Sequence, residues 1–113
     1  MKIDFPIELP ISAWRAEIER SVRTSQVTIV SGDTGSGKTT QLPKMLLELG
    51  LGARGRIACT QPRRLPAVAM ARRVAAELGE EAGGTVGFRH RFARCTSDAT
   101  KIEFMTEIGR AHV

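Results

Sequence analysis

Apolar positions along this chain alternate between two periods. Val27-Thr28-Ile29-Val30 is a β-branched run that predicts a buried strand over Gln26–Ser31. Beyond it Leu42, Met45, Leu46 and Leu49 recur at helical spacing, which predicts a helix over Lys38–Leu49 with Gly50 as its stop. Arg56–Thr60 reads as a second strand. The alanine-rich stretch Leu65–Leu78 reads as another helix, with Pro66 acceptable in its first turn. Thr85–Phe92 and Lys101–Met105 read as short strands around a polar turn near Ser97-Asp98. Upstream, Pro6 and Pro10 keep residues 1–11 extended, and Ser12 is the expected N-cap of a helix with Trp14, Ile18 and Val22 on one face. Gly50–Gly55 is expected to be a flexible loop, and Gly83-Gly84 a break. Strands alternating with helices predict an α/β layer fold with a mainly parallel sheet.

Between the first strand and its helix lies Gly32-Asp33-Thr34-Gly35-Ser36-Gly37-Lys38-Thr39, which matches G-x-x-x-x-G-K-[ST], the phosphate-binding loop of P-loop NTPases. Gly32, Gly35 and Gly37 allow a tight turn and bring backbone N–H groups to phosphate oxygens without a Cβ in the way. Lys38 places an ammonium where β- and γ-phosphate charge accumulates, and the Thr39 hydroxyl is the expected ligand of Mg²⁺. Thr40 continues the motif. The helix that begins here points its positive dipole end at the anion. Strand, glycine loop and helix together are the context the motif requires, so ATP or another NTP with Mg²⁺ is the expected cofactor.

The composition narrows the partners. The chain has 113 residues, 42% of them hydrophobic, enough for one small core. Net charge is +5, and the excess is local: from Arg54 to Arg94 there are nine arginines and three glutamates. That asymmetry points to a polyanion, with nucleic acid first. No apolar run approaches the ~18 residues of a membrane span, and the first residues lack a hydrophobic signal core. Cys59 and Cys95 make neither a disulfide framework nor a zinc site, and Cys59 reads as a buried thiol. A reducing cytoplasmic setting fits this usage. His90 and His112 have no partner pattern that suggests catalysis.

Thr60-Gln61-Pro62-Arg63-Arg64 leaves the second strand, and loops at the carboxyl ends of parallel strands share the ligand face. Arg63 and Arg64 suit a sugar–phosphate backbone as charge-assisted donors, with Thr60 and Gln61 adding neutral hydrogen bonds. On these residues alone, two solvated arginines beside a turn explain the pattern equally well. Gly32–Pro43 resembles motif I of the DEAH-box RNA helicases, and Thr60–Arg64 with the following Val68–Ala75 resembles their motif Ia. Val86-Gly87-Phe88-Arg89-His90-Arg91-Phe92 is similar to the family's VGYxxRF segment, and Lys101–Thr106 to the strand entering motif Ib. The likeness spans roughly residues 8–106, is closest to bacterial HrpA-like members, and departs at Asp33 (usually Glu) and His90 (commonly aliphatic). It implies a superfamily 2 helicase with RecA-like domains that hydrolyses NTPs and moves along RNA. Carried over, Gly32 to Thr40 hold nucleotide, Lys38 and Thr39 take the catalytic and metal roles, and Arg73 stacks on the nucleobase. Thr60, Gln61, Pro62, Arg63, Arg64 and Thr106 border the RNA, or another single-stranded nucleic acid.

The sequence holds no D-E-A-H, no S-A-T and no second RecA-like half. The expected domain plan is therefore an N-terminal segment and helix over 1–25, a partial RecA-like ATP-binding domain over 26–106, and a non-native tail over 107–113. That tail, Glu107-Ile108-Gly109-Arg110-Ala111-His112-Val113, is what a sequencing-library adapter encodes in one frame (GAG ATC GGA AGA GCA CAC GTC). A fragment missing its motif II strand is expected to expose strand edges. It is expected to bind nucleotide without turnover and to need the missing helicase half as partner. Two alternatives remain: a short non-hydrolysing P-loop module that binds RNA or nucleotide, and a small P-loop kinase.

Overall fold

The structure, a computed structural model, describes residues 3, 5, 9–25, 28, 30, 37–53 and 55–106. Four strands form one sheet: β1 (Ile57–Gln61), β2 (Val86–His90), β3 (Ala93–Cys95) and β4 (Ile102–Thr106), in the order β1-β4-β2-β3. The central strand β4 runs parallel to both β1 and β2, while β3 folds back antiparallel on β2. Among the described residues three α-helices accompany the sheet: α1 (Arg15–Thr24), α2 (Lys38–Glu48) and α3 (Arg64–Glu77). This is a mixed α/β fold with a mostly parallel sheet, in line with the alternation of periods in the sequence.

The core follows from α3. Its buried residues Ala67, Ala71, Val74 and Ala75, with Leu78 at its end, recur at three- and four-residue intervals and form one stripe. Small side chains along that stripe let the helix lie close to Ile57, Val86, Phe88, Ile102 and Phe104 of the three parallel strands. A second cluster joins Ile11, Ile18 and Met45, with Phe5, Val22, Val30 and Leu42 packed against it, and so ties α1 to α2. The two cores share α2, since Leu47 belongs to the first and Met45 to the second.

The structure corrects four details of the sequence reading. The chain is not extended through residue 11: Pro10–Trp14 is a 3-10 turn, with Pro10 at its start and Leu9 as its cap. Ser12 therefore lies inside that turn, and the shift in phase leaves Trp14 61% exposed while Ile11 takes the buried place beside Ile18. Leu51–Ala53 forms a short 3-10 turn within the expected loop. The segment Thr85–Phe92 ends earlier as a strand, and Ala93–Cys95 adds the hairpin partner β3, whose three residues carry no apolar alternation to announce it. Gly50 does close α2, at φ +85°, with its N–H bonded to the Leu47 carbonyl at 3.0 Å. The strand expected over Gln26–Ser31 lies outside the described residues except at Thr28 and Val30, as do Gly32–Ser36 of the glycine loop and Glu107–Val113.

Candidate nucleotide and nucleic-acid sites

Gly37 caps α2 in the left-handed region at φ +96°, which costs a residue with a Cβ far more than glycine. A Cβ there would also lie 3.1 Å from Leu9 Cδ1, 3.2 Å from Ile11 Cγ2 and 3.3 Å from Gln41 Cγ. Both facts require glycine as the last residue before Lys38. Gly37 has no side chain with which to cap the helix start, and no acidic residue sits in the first turn. The first-turn amides, the dipole and the Lys38 ammonium therefore all favour an anion at this point. Lys38 is half-buried and Thr39 is exposed. Pro43 lies inside the helix and has no N–H, so the Thr39 carbonyl lacks its helical partner. These residues fit the phosphates of a nucleotide.

One turn on, a polar chain leaves the helix. The Thr40 hydroxyl donates to the Gly37 carbonyl at 3.3 Å, and Gln41 Nε2 donates to Thr40 Oγ1 at 2.8 Å and to Glu77 Oε1 at 3.1 Å. Lys44, fully buried, donates from Nζ to the same Glu77 oxygen at 2.6 Å. Arg73, exposed on α3, reaches Glu77 Oε2 at 3.0 Å. Burial would raise the Glu77 carboxyl, but hydrogen bonds from Lys44, Gln41 and Arg73 outweigh it and hold the group below the ordinary carboxylate range. Arg73 is thus brought to the first turns of α2 through one shared carboxylate. Sequence reasoning missed Glu77; a carboxylate four residues after Arg73 on a helix was the available signal.

The second site gathers at the carboxyl ends of the parallel strands. Gln61 pairs in register with Thr106, and Thr60 with Met105, so these two expected contacts stand side by side. Past Gln61 the chain turns through Pro62 to Arg63, the extended cap of α3, and Arg64, its first residue. Both arginines and Thr60 are exposed, and Thr106 is buried. Across the same end, the β2–β3 turn carries Phe92, 70% exposed, beneath the Arg64 guanidinium at 4.8 Å from the ring centroid and the Arg91 guanidinium at 5.8 Å. The turn is set by His90, whose ring stacks on buried Phe88 and whose Nδ1 accepts from the Phe92 N–H at 3.1 Å. A largely exposed aromatic ring stacked with arginine guanidinium groups is equipment for base stacking beside phosphate contacts once a guanidinium moves onto a phosphate. Phe92 is the residue missed from sequence, because its neighbourhood to Arg64 depends on the hairpin.

Behind this end, Glu103 of β4 is buried and lies 3.4 Å from Arg56 Nη1 and 3.3 Å from Arg89 Nε. Two arginines from opposite sides thus neutralise the buried carboxylate. Cys59 is half-buried and burial pushes its thiol up to about 11, which makes it unreactive. Among the described residues no group of three His, Cys, Asp or Glu side chains is placed to hold a metal ion, and no helix is long and apolar enough to cross a membrane.

No family model matches the chain. It is 52% identical over 105 residues, 93% of its length, to the ATP-dependent RNA helicase HrpA homolog of Haemophilus influenzae. It is 49% identical over 106 residues to the ATP-dependent RNA helicase HrpA of Escherichia coli. Identity of this extent along nearly the whole chain makes it homologous to a stretch of these helicases, and it spans about 8% of the length of each.

Proposed function

We propose that this chain is the ATP-binding portion of an ATP-dependent RNA helicase of the DEAH-box type, part of a RecA-like domain. The observation that carries the reading is the start of α2: a left-handed Gly37 as the cap residue, no acidic residue in the first turn, and Lys38, preceded in sequence by the rest of a phosphate-loop motif. In this reading the backbone amides around Gly37 and the Lys38 ammonium hold the triphosphate, and the Thr39 hydroxyl takes Mg²⁺. When bound, the metal would supply charge neutralisation to the triphosphate. Arg73 lies at the base end of the nucleotide. RNA runs over the strand ends, with Arg63 and Arg64 on phosphates, Thr60, Gln61, Pro62 and Thr106 beside them, and Phe92 beneath a base.

The chain alone holds nucleotide without turning it over. Phosphoryl transfer to water needs carboxylates that hold Mg²⁺ and orient the attacking water, and the sequence contains no D-E-A-H to provide them. A steady-state ATPase assay with RNA present should read no turnover above background. Turnover abolished by Lys38→Ala would contradict this part of the reading. The kinase alternative is disfavoured because it leaves the Arg63–Arg64–Phe92 cluster without a role. A binding titration with RNA set against DNA of the same sequence tests the partner class: tighter RNA binding supports it, and equal affinity would mean that contacts to phosphate alone hold the strand.

A further inference from the structure

We propose that Glu77 is a positioning residue that links the nucleotide site to the RNA site, an inference that rests on the function proposed above. Its two carboxylate oxygens join the helix that begins at the phosphate loop to the helix that begins at the RNA-facing arginines. Oε1 takes Lys44 and Gln41 from α2, and Oε2 takes Arg73 from α3 itself. Gln41 continues the path through Thr40 to the carbonyl of Gly37, the residue in the left-handed turn. A displacement of Gly37 therefore reaches Glu77 through three hydrogen bonds.

From Glu77 the path is a single helix. α3 runs 14 residues from Arg64 to Glu77, so its far end lies about 20 Å away at 1.5 Å per residue. Along that length it is anchored to the sheet by Ala67, Ala71, Val74 and Ala75. Three of these four anchors are alanines, so Val74 is the one large side chain among them that interlocks with the sheet, and the dense packing transmits strain along the helix. A pull on Glu77 thus becomes a small axial shift of Arg63 and Arg64 against Phe92. Energetic coupling of this kind is a property of two sites and a bistable element between them, and it is measured as a change in one affinity caused by the other ligand.

The test is a two-ligand cycle on the full 113-residue chain. RNA affinity is read by anisotropy of fluorescein-labelled oligouridine, with and without a saturating non-hydrolysable ATP analogue and Mg²⁺. The wild-type chain should change its RNA affinity by about fivefold or more on adding nucleotide. Glu77→Gln should bring that ratio close to one while each ligand still binds singly. A second variant, Lys44→Met with Glu77→Met, replaces the pair of buried Lys44 and half-buried Glu77 by apolar groups of similar size, a change that commonly preserves stability. It should melt near the wild-type temperature and still lack coupling. Coupling that persists in either variant overturns the inference. Coupling restored by the paired methionines would mean that the pair serves only to hold the helices together, and also overturns it. A wild-type chain that binds neither ligand overturns the proposed function and the inference with it.

Discussion

Replacing Gly37 by alanine separates two costs that Gly50 lets one measure individually. Both glycines lie in the left-handed region, at φ +96° and +85°. An alanine at Gly50 would meet nothing within 4 Å, so its cost is conformational only. That cost is about 1–2 kcal/mol for the left-handed backbone, less about 0.4–1 kcal/mol gained by restricting the unfolded chain. Gly50→Ala should therefore lose about 1 kcal/mol of stability. At Gly37 the added methyl would stand 3.1 to 3.3 Å from Leu9, Ile11 and Gln41 at once. Two of those side chains belong to the segment entering α1 and one to the polar chain that reaches Glu77, so none moves without disturbing a packed element. Overpacking of this kind costs about 1–3 kcal/mol, which brings Gly37→Ala to a loss of about 2–4 kcal/mol. Urea unfolding followed by circular dichroism, with equal m-values for the three proteins, gives the difference directly. Equal losses for the two variants, within about 0.5 kcal/mol, would refute the claim that Gly37 is closely walled in.

Other outcomes follow from the same geometry. Lys44→Ala, which strips the Glu77 carboxylate of its buried partner, should destabilise the chain by about 3 kcal/mol in the same assay, and a loss under about 1 would contradict the pairing. Because the Glu77 carboxyl lies below its ordinary value of 4.5, its contribution is complete above that pH and is lost as pH falls through the folded value; the acid limb of the stability curve should flatten in Glu77→Gln. The Cys59 thiol, raised from 9.0 to about 11, should alkylate about a hundredfold more slowly at pH 8 than in the unfolded chain, and a rate like that of a free thiol would place it on the surface. Arg64→Ala should reduce the salt slope of RNA binding by about one unit for every sequence tested, whereas Phe92→Ala should cost about 1–3 kcal/mol of affinity and leave the salt slope unchanged.

Much of this fold could be read from local pattern, and the exceptions share a cause. The limits of α2 and α3 follow from helical apolar spacing, from Gly37 and Gly50 at the ends of α2, and from the extended Arg63 at the start of α3. Strands β1, β2 and β4 were legible because each is a short β-branched or aromatic run. β3 was not, since Ala93-Arg94-Cys95 gains its pairing only from the hairpin made by His90 and Phe92. Trp14 was misplaced for a related reason: Pro10 starts a 3-10 turn, whose three-residue period puts Trp14 out of phase with Ile18 and Val22 of the α-helix that follows. At the candidate sites the sequence names the residues proposed to meet a ligand, Lys38, Thr39, Arg63 and Arg64 among them. It does not name Glu77 or Phe92, because the roles proposed for them depend on Lys44 and Gln41, 33 and 36 positions away, reaching Glu77, and on Arg64 crossing to the β2–β3 turn.

The most direct test of the central claim is a titration of the purified chain with a fluorescent ATP analogue and Mg²⁺, run beside Lys38→Ala. The account predicts saturable, Mg²⁺-dependent binding by the wild-type chain, weakened tenfold or more, about 1.4 kcal/mol, by the substitution. No binding by a chain that circular dichroism shows to be folded, or equal binding by Lys38→Ala, would contradict it.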